Sequence, residues 1–141
     1  EEEEIQVVRQ GTSDGAELLQ KVLSPERIRL LQQLVFRVPA ADHVIRYAVR
    51  LCRLSRPDTE GAPAMVREYL SWGAGPRASQ FLILVAKAKT LLEGRFAARV
   101  EDISAMAIPT LRHRLVRNFH AEAEGVTSVQ LIEHLLSATR P

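Results

Sequence analysis

The residues of this sequence able to do chemistry fall into four groups. They are the single thiol Cys52, the imidazoles His43, His113, His120 and His134, the basic run "LRHRLVR", and one arginine set behind "GAGP". His113 and His120 stand seven residues apart, which predicts one helical face, but no H-x-x-x-H and no Cys/His cluster completes a zinc site. Cys52 falls on an apolar stripe, where a buried structural thiol outweighs a nucleophile. Asp and Glu are scattered without a spacing that pairs them, and neither G-x-S-x-G nor G-x-x-x-x-G-K-S/T occurs. Taken alone, the chain reads as a non-enzyme without a metal.

The two arginine-bearing stretches say more. In "LRHRLVR", Arg112, His113, Arg114 and Arg117 stand close enough to grip phosphates. The aromatic content is only 5%, the formal net charge only +2, and no recognition-helix, RRM-like or zinc-finger pattern accompanies the run. A solvated face or the rim of a protein–protein contact is therefore the favoured reading, and nucleic acid is set aside. In "SWGAGPRASQ", Ser71 to Gln80, Gly75 suits an N-cap and Pro76 the first helical position. Arg77 then sits in a first turn whose unpaired amides and positive dipole end favour an anion. A phosphate at Gly75, Pro76, Arg77 and Ala78 would meet backbone donors and a guanidinium fork together. The competing reading is a tight turn with Arg77 in water.

The elements that must position these residues are helices. "EEEEIQVVRQ" predicts one or two helical turns, followed by the loop "GTSDG". Ser24-Pro25-Glu26 starts a helix running to about Arg37, with Ile28, Leu31, Leu34 and Val35 on one face. Pro39 opens the next, whose stripe is Val44, Ile45, Ala48, Val49 and Cys52. "SRPDTEGAPA" reads as an exposed loop, and "MVREYL" is ambiguous between strand and helix. Ala78 to Glu93 is apolar on most sides, which predicts the central helix of a bundle, stopped by Gly94 at C′. "VEDISAMAIP" predicts a short helix ended by Pro109. Leu111, Leu115 and Phe119 form a stripe on "TLRHRLVRNFHAEAEG", closed by Gly125. A T-x-x-Q capping box, Thr127 with Gln130, precedes Val129, Ile132, Leu135 and Leu136. The fold class is all-α: a compact helical bundle with little or no strand.

Length and composition fit that class. The 141 residues suffice for one domain with a real core, and 46% apolar with 26% charged residues is ordinary globular composition. One cysteine excludes an internal disulfide framework and fits a reducing compartment. No apolar run reaches membrane-spanning length, and the start "EEEEIQVVRQ" is the opposite of a signal peptide. A start without Met, in mid-charge, reads as a piece cut from something longer.

Three stretches together resemble a family. "GAGPRASQFLILVAKAKTLLEGR" resembles the G-A-S-P-R-A segment of the MoxR family of AAA+ ATPases, which opens a helix of their C-terminal lid subdomain. "VEDISAMAIPTLRHRLVRNFHAEAEGVT" resembles the E-D-V turn, A-x-x-x-L-R-H-R and A-x-x-G that follow, and "VPAADHVIRYAVRLCRLSRP" the helix upstream. The resemblance spans Val38 to the C-terminus and, more loosely, the start. It implies that residues 1–141 are a single helical lid domain and that Arg77 is the sensor 2 arginine, reaching the γ-phosphate of ATP. The nucleotide and its Mg²⁺ would be held mainly by an α/β core that contributes the P-loop, Walker B strand, sensor 1 and arginine finger, none of them here.

The resemblance further implies a cytoplasmic, chaperone-like ring. Arg112, Arg114 and Arg117 would lie at a subunit contact, and the clients would be proteins, some with von Willebrand A-type domains. Two positions depart from the family pattern: Gly75 stands where Ser is usual, and Arg99 where a Thr N-cap is usual. The alternatives from other classes are a free-standing helical adaptor using the face of Leu70 and Trp72, and a small nucleic-acid binder using the three arginines.

Overall fold

The computed structural model describes residues 1–12 and 20–140, and the described chain divides into two units, residues 1–31 and 32–141. In the first, α1 (Glu2–Thr12) runs three turns, longer than expected, with Glu2, Glu3 and Glu4 at the end where carboxylates offset the helix dipole. Of the predicted loop at residues 11–15, Gly11 and Thr12 are helical and the rest lies outside the described residues. Helix α2 (Pro25–Arg37) passes through the boundary between the units. Ser24 caps it as predicted, its hydroxyl accepting the Arg27 N–H at 3.2 Å. No side chain of α2 is buried, so the stripe of Ile28, Leu31 and Leu34 faces outward.

The second unit holds the core. Its elements are α3 (Asp42–Leu54), α4 (Ala64–Tyr69), β1 (Leu70–Trp72), α5 (Pro76–Leu92), α6 (Val100–Leu111), β2 (Val116–Arg117), α7 (Phe119–Ala123) and α8 (Ser128–Ala138). Helix α5 is central: it buries Ala78, Leu82, Ala86 and Thr90, spaced by four, and packs on both α3 and α6. Two alanines on that stripe let the neighbouring helices approach closely. Val44 and Leu51 of α3, Val66 of α4, Ile103 and Leu111 of α6, and Leu131, Ile132 and Leu135 of α8 complete a dry centre.

Several boundaries differ from the sequence reading. Pro39 does not open α3, which starts at Asp42. The Pro39 carbonyl instead accepts the Ala98 N–H at 3.1 Å, and Ala40 bridges Ala98. Ile45 and Val49 turn outward, while Tyr47 and Leu51, which the predicted stripe did not include, are buried. Ser55 and Ala62, in the stretch read as an exposed loop, are buried. Pro109 lies inside α6, which runs on to Leu111. The ambiguous "MVREYL" supplies α4 and the first residue of β1.

The expected helix over residues 110–125 is broken. Leu111 ends α6, residues 112–114 form a turn, β2 pairs antiparallel with β1, and beyond it only Phe119–Ala123 is helical. Leu111 and Leu115 are buried but Phe119 is 84% exposed, so no common stripe forms. His113 and His120 consequently share no helical face.

Asp102 ties the end of α5 to the start of α6. Arg99 is a donor-only side chain and cannot accept from the first amides of α6, but Asp102, at N3, supplies the other half of a capping box by accepting the Arg99 N–H at 2.9 Å. The same carboxylate accepts the Thr90 hydroxyl at 3.2 Å and the Arg95 guanidinium, one contact at 3.0 Å. Burial alone would push its carboxyl up. The Arg95 hydrogen bond, the Arg99 amide, the Arg95 charge and the Thr90 hydroxyl outweigh that and hold it below its ordinary value.

Two outcomes follow for stability. Replacing the carboxylate (Asp102→Ala) removes the cap and strands the donors, at a cost of about 2–3 kcal/mol in urea unfolding. Because the native pKa is depressed, the unfolded chain binds the proton first as pH falls. The Asp102 contribution is therefore full above about pH 5 and fades as pH drops through the lowered native value. The urea midpoint of the native chain should fall more steeply below about pH 4 than that of Asp102→Ala, and parallel slopes would refute the assignment.

Candidate functional site

The turn before α5 is held by α3 rather than by its own residues. Gly75 is the N-cap, extended at φ −78° and ψ 175°, and Pro76 takes the first helical position, as the sequence predicts. Glycine offers no side-chain cap, and the Ala78 N–H closes back on the Gly75 carbonyl at 2.9 Å. Pro76 has no N–H, so the donors at this end are the Arg77 amide and its guanidinium.

The loop is pinned upstream. Ser55, at the end of α3, donates its hydroxyl to the Cys52 carbonyl at 2.7 Å and accepts the Ala74 N–H at 2.8 Å. Arg56 Nε donates to the Ala74 carbonyl at 2.9 Å. Both Ser55 and Ala74 are wholly buried. The approach is so close that a Cβ on Gly73 would lie 2.2 Å from the Ser55 carbonyl oxygen, which makes Gly73 a steric requirement rather than a conformational one. A shallow recess of about 340 Å³, lined by Arg56, Asp58, Trp72, Gly75 and Pro76 among others, opens beside the turn.

Arg77 is exposed, and among the described residues it has neither an ion-pair nor a hydrogen-bond partner. Its setting is unusual within this fold. Five of the eight described helices carry an acid in the first turn, whereas α5, the longest, carries none and has Arg77 there. A cation at the positive end of a helix is locally unfavourable, and an anion bound there would relieve both charges. Gly75 and Pro76 are exposed at the same turn, while Ala78 is buried and its amide is engaged.

The basic run is dispersed. Arg112 is exposed just beyond α6. Arg114 donates Nε to the Thr110 carbonyl at 3.0 Å and lies 4.8 Å over the Phe81 ring, one turn along α5 from Arg77. Arg117, in β2, donates to the Val126 carbonyl at 2.8 Å and steadies the approach to α8. Two of the three arginines are thus engaged inside the fold. The adaptor face is likewise split, since Leu70 is buried and only Trp72 is open.

Cys52 is fully buried, and desolvation pushes its thiol up against the smaller pull of Ser79, Arg56 and Arg114. His120 pairs with Glu124 at 2.8 Å, and Glu124 accepts the Tyr69 hydroxyl at 2.7 Å, which holds that phenol up at about 12. Among the described residues no three His, Cys, Asp or Glu side chains gather as a metal site. No described helix is long and apolar enough to cross a membrane. The sequence reading missed Ser55 and Arg56 as supports of the turn, because the hydroxyl and the amide it serves are nineteen residues apart.

Known proteins resemble this chain in sequence and in fold. Residues 62–135 match the AAA lid domain family. The chain is 29% identical over 139 residues to YeaC, an uncharacterised protein of Bacillus subtilis strain 168, covering 98% of this chain and 41% of YeaC. It is 26% identical over 136 residues to the chaperone MoxR1 of Mycobacterium tuberculosis H37Rv, covering 96% of this chain and 36% of that protein. A crystal structure of a presumptive ATPase from Cytophaga hutchinsonii ATCC 33406 superposes with a TM-score of 0.82 at 28% identity, over 99% of this chain and 43% of that one. The chain therefore spans about two fifths of the length of the relatives it matches. With a family match over half its residues and a helical fold, this chain belongs to the AAA lid domain family, and the chaperone MoxR1 is among its relatives.

Proposed function

We propose that this lid completes the ATP site of a MoxR-like AAA+ ATPase by presenting Arg77, as sensor 2, to the γ-phosphate. The observation that carries the reading is the exposed, unpartnered guanidinium on the first turn of α5, at the one long helix whose start bears a cation instead of an acid. Gly75 and Pro76 would lie beside the phosphate, with Ala78 buried beneath them as the packing that fixes the turn. The P-loop and the Mg²⁺ ligands belong to the α/β core, so the lid by itself supplies a charge and no hydrolytic machinery.

Such a charge does its work only in a closed interface. An ion pair in open water is worth about 1 kcal/mol or less, roughly a fivefold bias. Moving a hinge from 1:99 to 99:1 needs about a 10⁴-fold difference in affinity between its two states. Closure against the core must therefore exclude water around the phosphate, where the same charges interact far more strongly. Loss of the γ-phosphate then removes the differential contact and frees the lid.

Transmission of that movement around a ring, with protein clients, follows from likeness to a chaperone. Exposed Trp72, opposite exposed Val116 on the strand pair, is a better candidate for contact with a neighbouring subunit than Arg114 or Arg117, which are already engaged. In the full-length protein, Arg77→Ala should lower steady-state ATP turnover about 10- to 100-fold. The melting temperature should not fall, because the side chain is exposed, makes no contact among the described residues and stands at the unfavourable end of the helix dipole. Unchanged turnover in an intact assembly would refute the reading.

A further inference from the structure

We propose that Ser55, assisted by Arg56, is a positioning residue for the reaction, setting where Arg77 stands. The inference rests on the sensor 2 reading above. Its basis is the path of force from α3 to the turn. The Ser55 hydroxyl joins the Cys52 carbonyl of the last turn of α3 to the Ala74 amide, at 2.7 and 2.8 Å. Arg56 grips the carbonyl of the same Ala74 at 2.9 Å, so both polar groups of one peptide-bearing residue are fixed from one side. Gly73 lets the two backbones touch. Three residues later comes Arg77, with only Gly75 and Pro76 between it and the clamp.

The turn has little else to hold it. Gly75 has no capping side chain and is the most permissive of residues, so the entry angle of α5 would otherwise be loose. The clamp removes that freedom before the nucleotide arrives. A guanidinium that must meet one phosphate group loses its effect with about 1 Å of misplacement. Ser55 thus acts through Arg77, and its hydroxyl, wholly buried, never meets the nucleotide itself.

A double-mutant cycle on the full-length protein tests this. The variants are Arg77→Ala, Ser55→Ala, Ser55→Thr and Ser55→Ala with Arg77→Ala, each assayed for ATP turnover, KM, ADP affinity and melting temperature. Ser55→Ala should lower kcat/KM about 5- to 50-fold while ADP affinity stays within about twofold, since ADP lacks the γ-phosphate that Arg77 would meet. Ser55→Thr, which keeps the hydroxyl, should restore turnover. The double variant should be no slower than Arg77→Ala alone, because a positioning residue has nothing left to position.

Losses that multiply in the double variant would overturn the proposal in favour of a general structural role. Wild-type turnover in Ser55→Ala beside a slow Arg77→Ala would overturn it while leaving the sensor 2 reading standing. Wild-type turnover in Arg77→Ala would sink both. If Ser55→Ala shows no cooperative melting, Arg56→Ala takes its place in the cycle, since that side chain is only half-buried and its removal opens the second half of the clamp.

Discussion

The arrangement of this lid depends on one buried amide. The N–H of Ala74 lies beyond the reach of water, and a buried donor without an acceptor costs about as much as a large fraction of a domain's stability. The Ser55 hydroxyl meets it, and because a hydroxyl both donates and accepts, the same oxygen is anchored to α3 through the Cys52 carbonyl. The loop cannot then drift without breaking a bond that nothing else replaces. Gly73 follows from this constraint, since any larger residue would hold the two backbones too far apart for the bond to form.

The far end of α5 is held by a different device with a similar effect. Asp102 gathers Thr90, Arg95 and the Arg99 amide into one cluster, joining the last turn of α5 to the first of α6. Between the two stitches runs the stripe of Ala78, Leu82 and Ala86, packed on α3 and α6. A helix of 17 residues, about 25 Å long, is thereby clamped at both ends and along its side. That is what a lid needs if a contact at Arg77 is to move the whole body rather than bend one loop.

How much of this was legible in the sequence divides along distance in the chain. Local devices read well: Ser24 with Pro25, Gly75 with Pro76, Gly94 and Gly125 at C′, and the Thr127–Gln130 box all act within four residues. At Arg99, where a Thr N-cap is usual, the structure shows Asp102 accepting the Arg99 N–H, the one half of a capping box that a donor-only N-cap residue leaves possible. The stripe of Leu111, Leu115 and Phe119 misled because a spacing of four is helical only if the chain between is helical. Here β1 claims residues 116–117 as a strand partner, and a pairing over more than forty residues leaves no local trace. Ile45 and Val49 misled for a related reason: a spacing of four marks a face but not which face is covered, and theirs is left exposed. Ser55 was invisible as a support because its partner lies across the fold.

Arg77 is the position at which local rules and the fold disagree, and the disagreement points toward the site. Five of the eight described helices follow the dipole, with acids at the starts of α1, α2, α3, α6 and α7. At α5 a cation stands at the positive end, no acid accompanies it, and the cap is a glycine. A protein under selection for stability alone would gain by replacing Arg77 with Glu and Gly75 with Ser, at no cost to the core. Sequences that break such rules do so where function demands it. The clamp at Ser55 sharpens the point, because the fold spends its strongest local ordering on a turn whose own residues give it least. An ordered, exposed cation without a partner among the described residues is suited to an anion brought from outside, which is what the proposed sensor 2 role would supply at the start of α5.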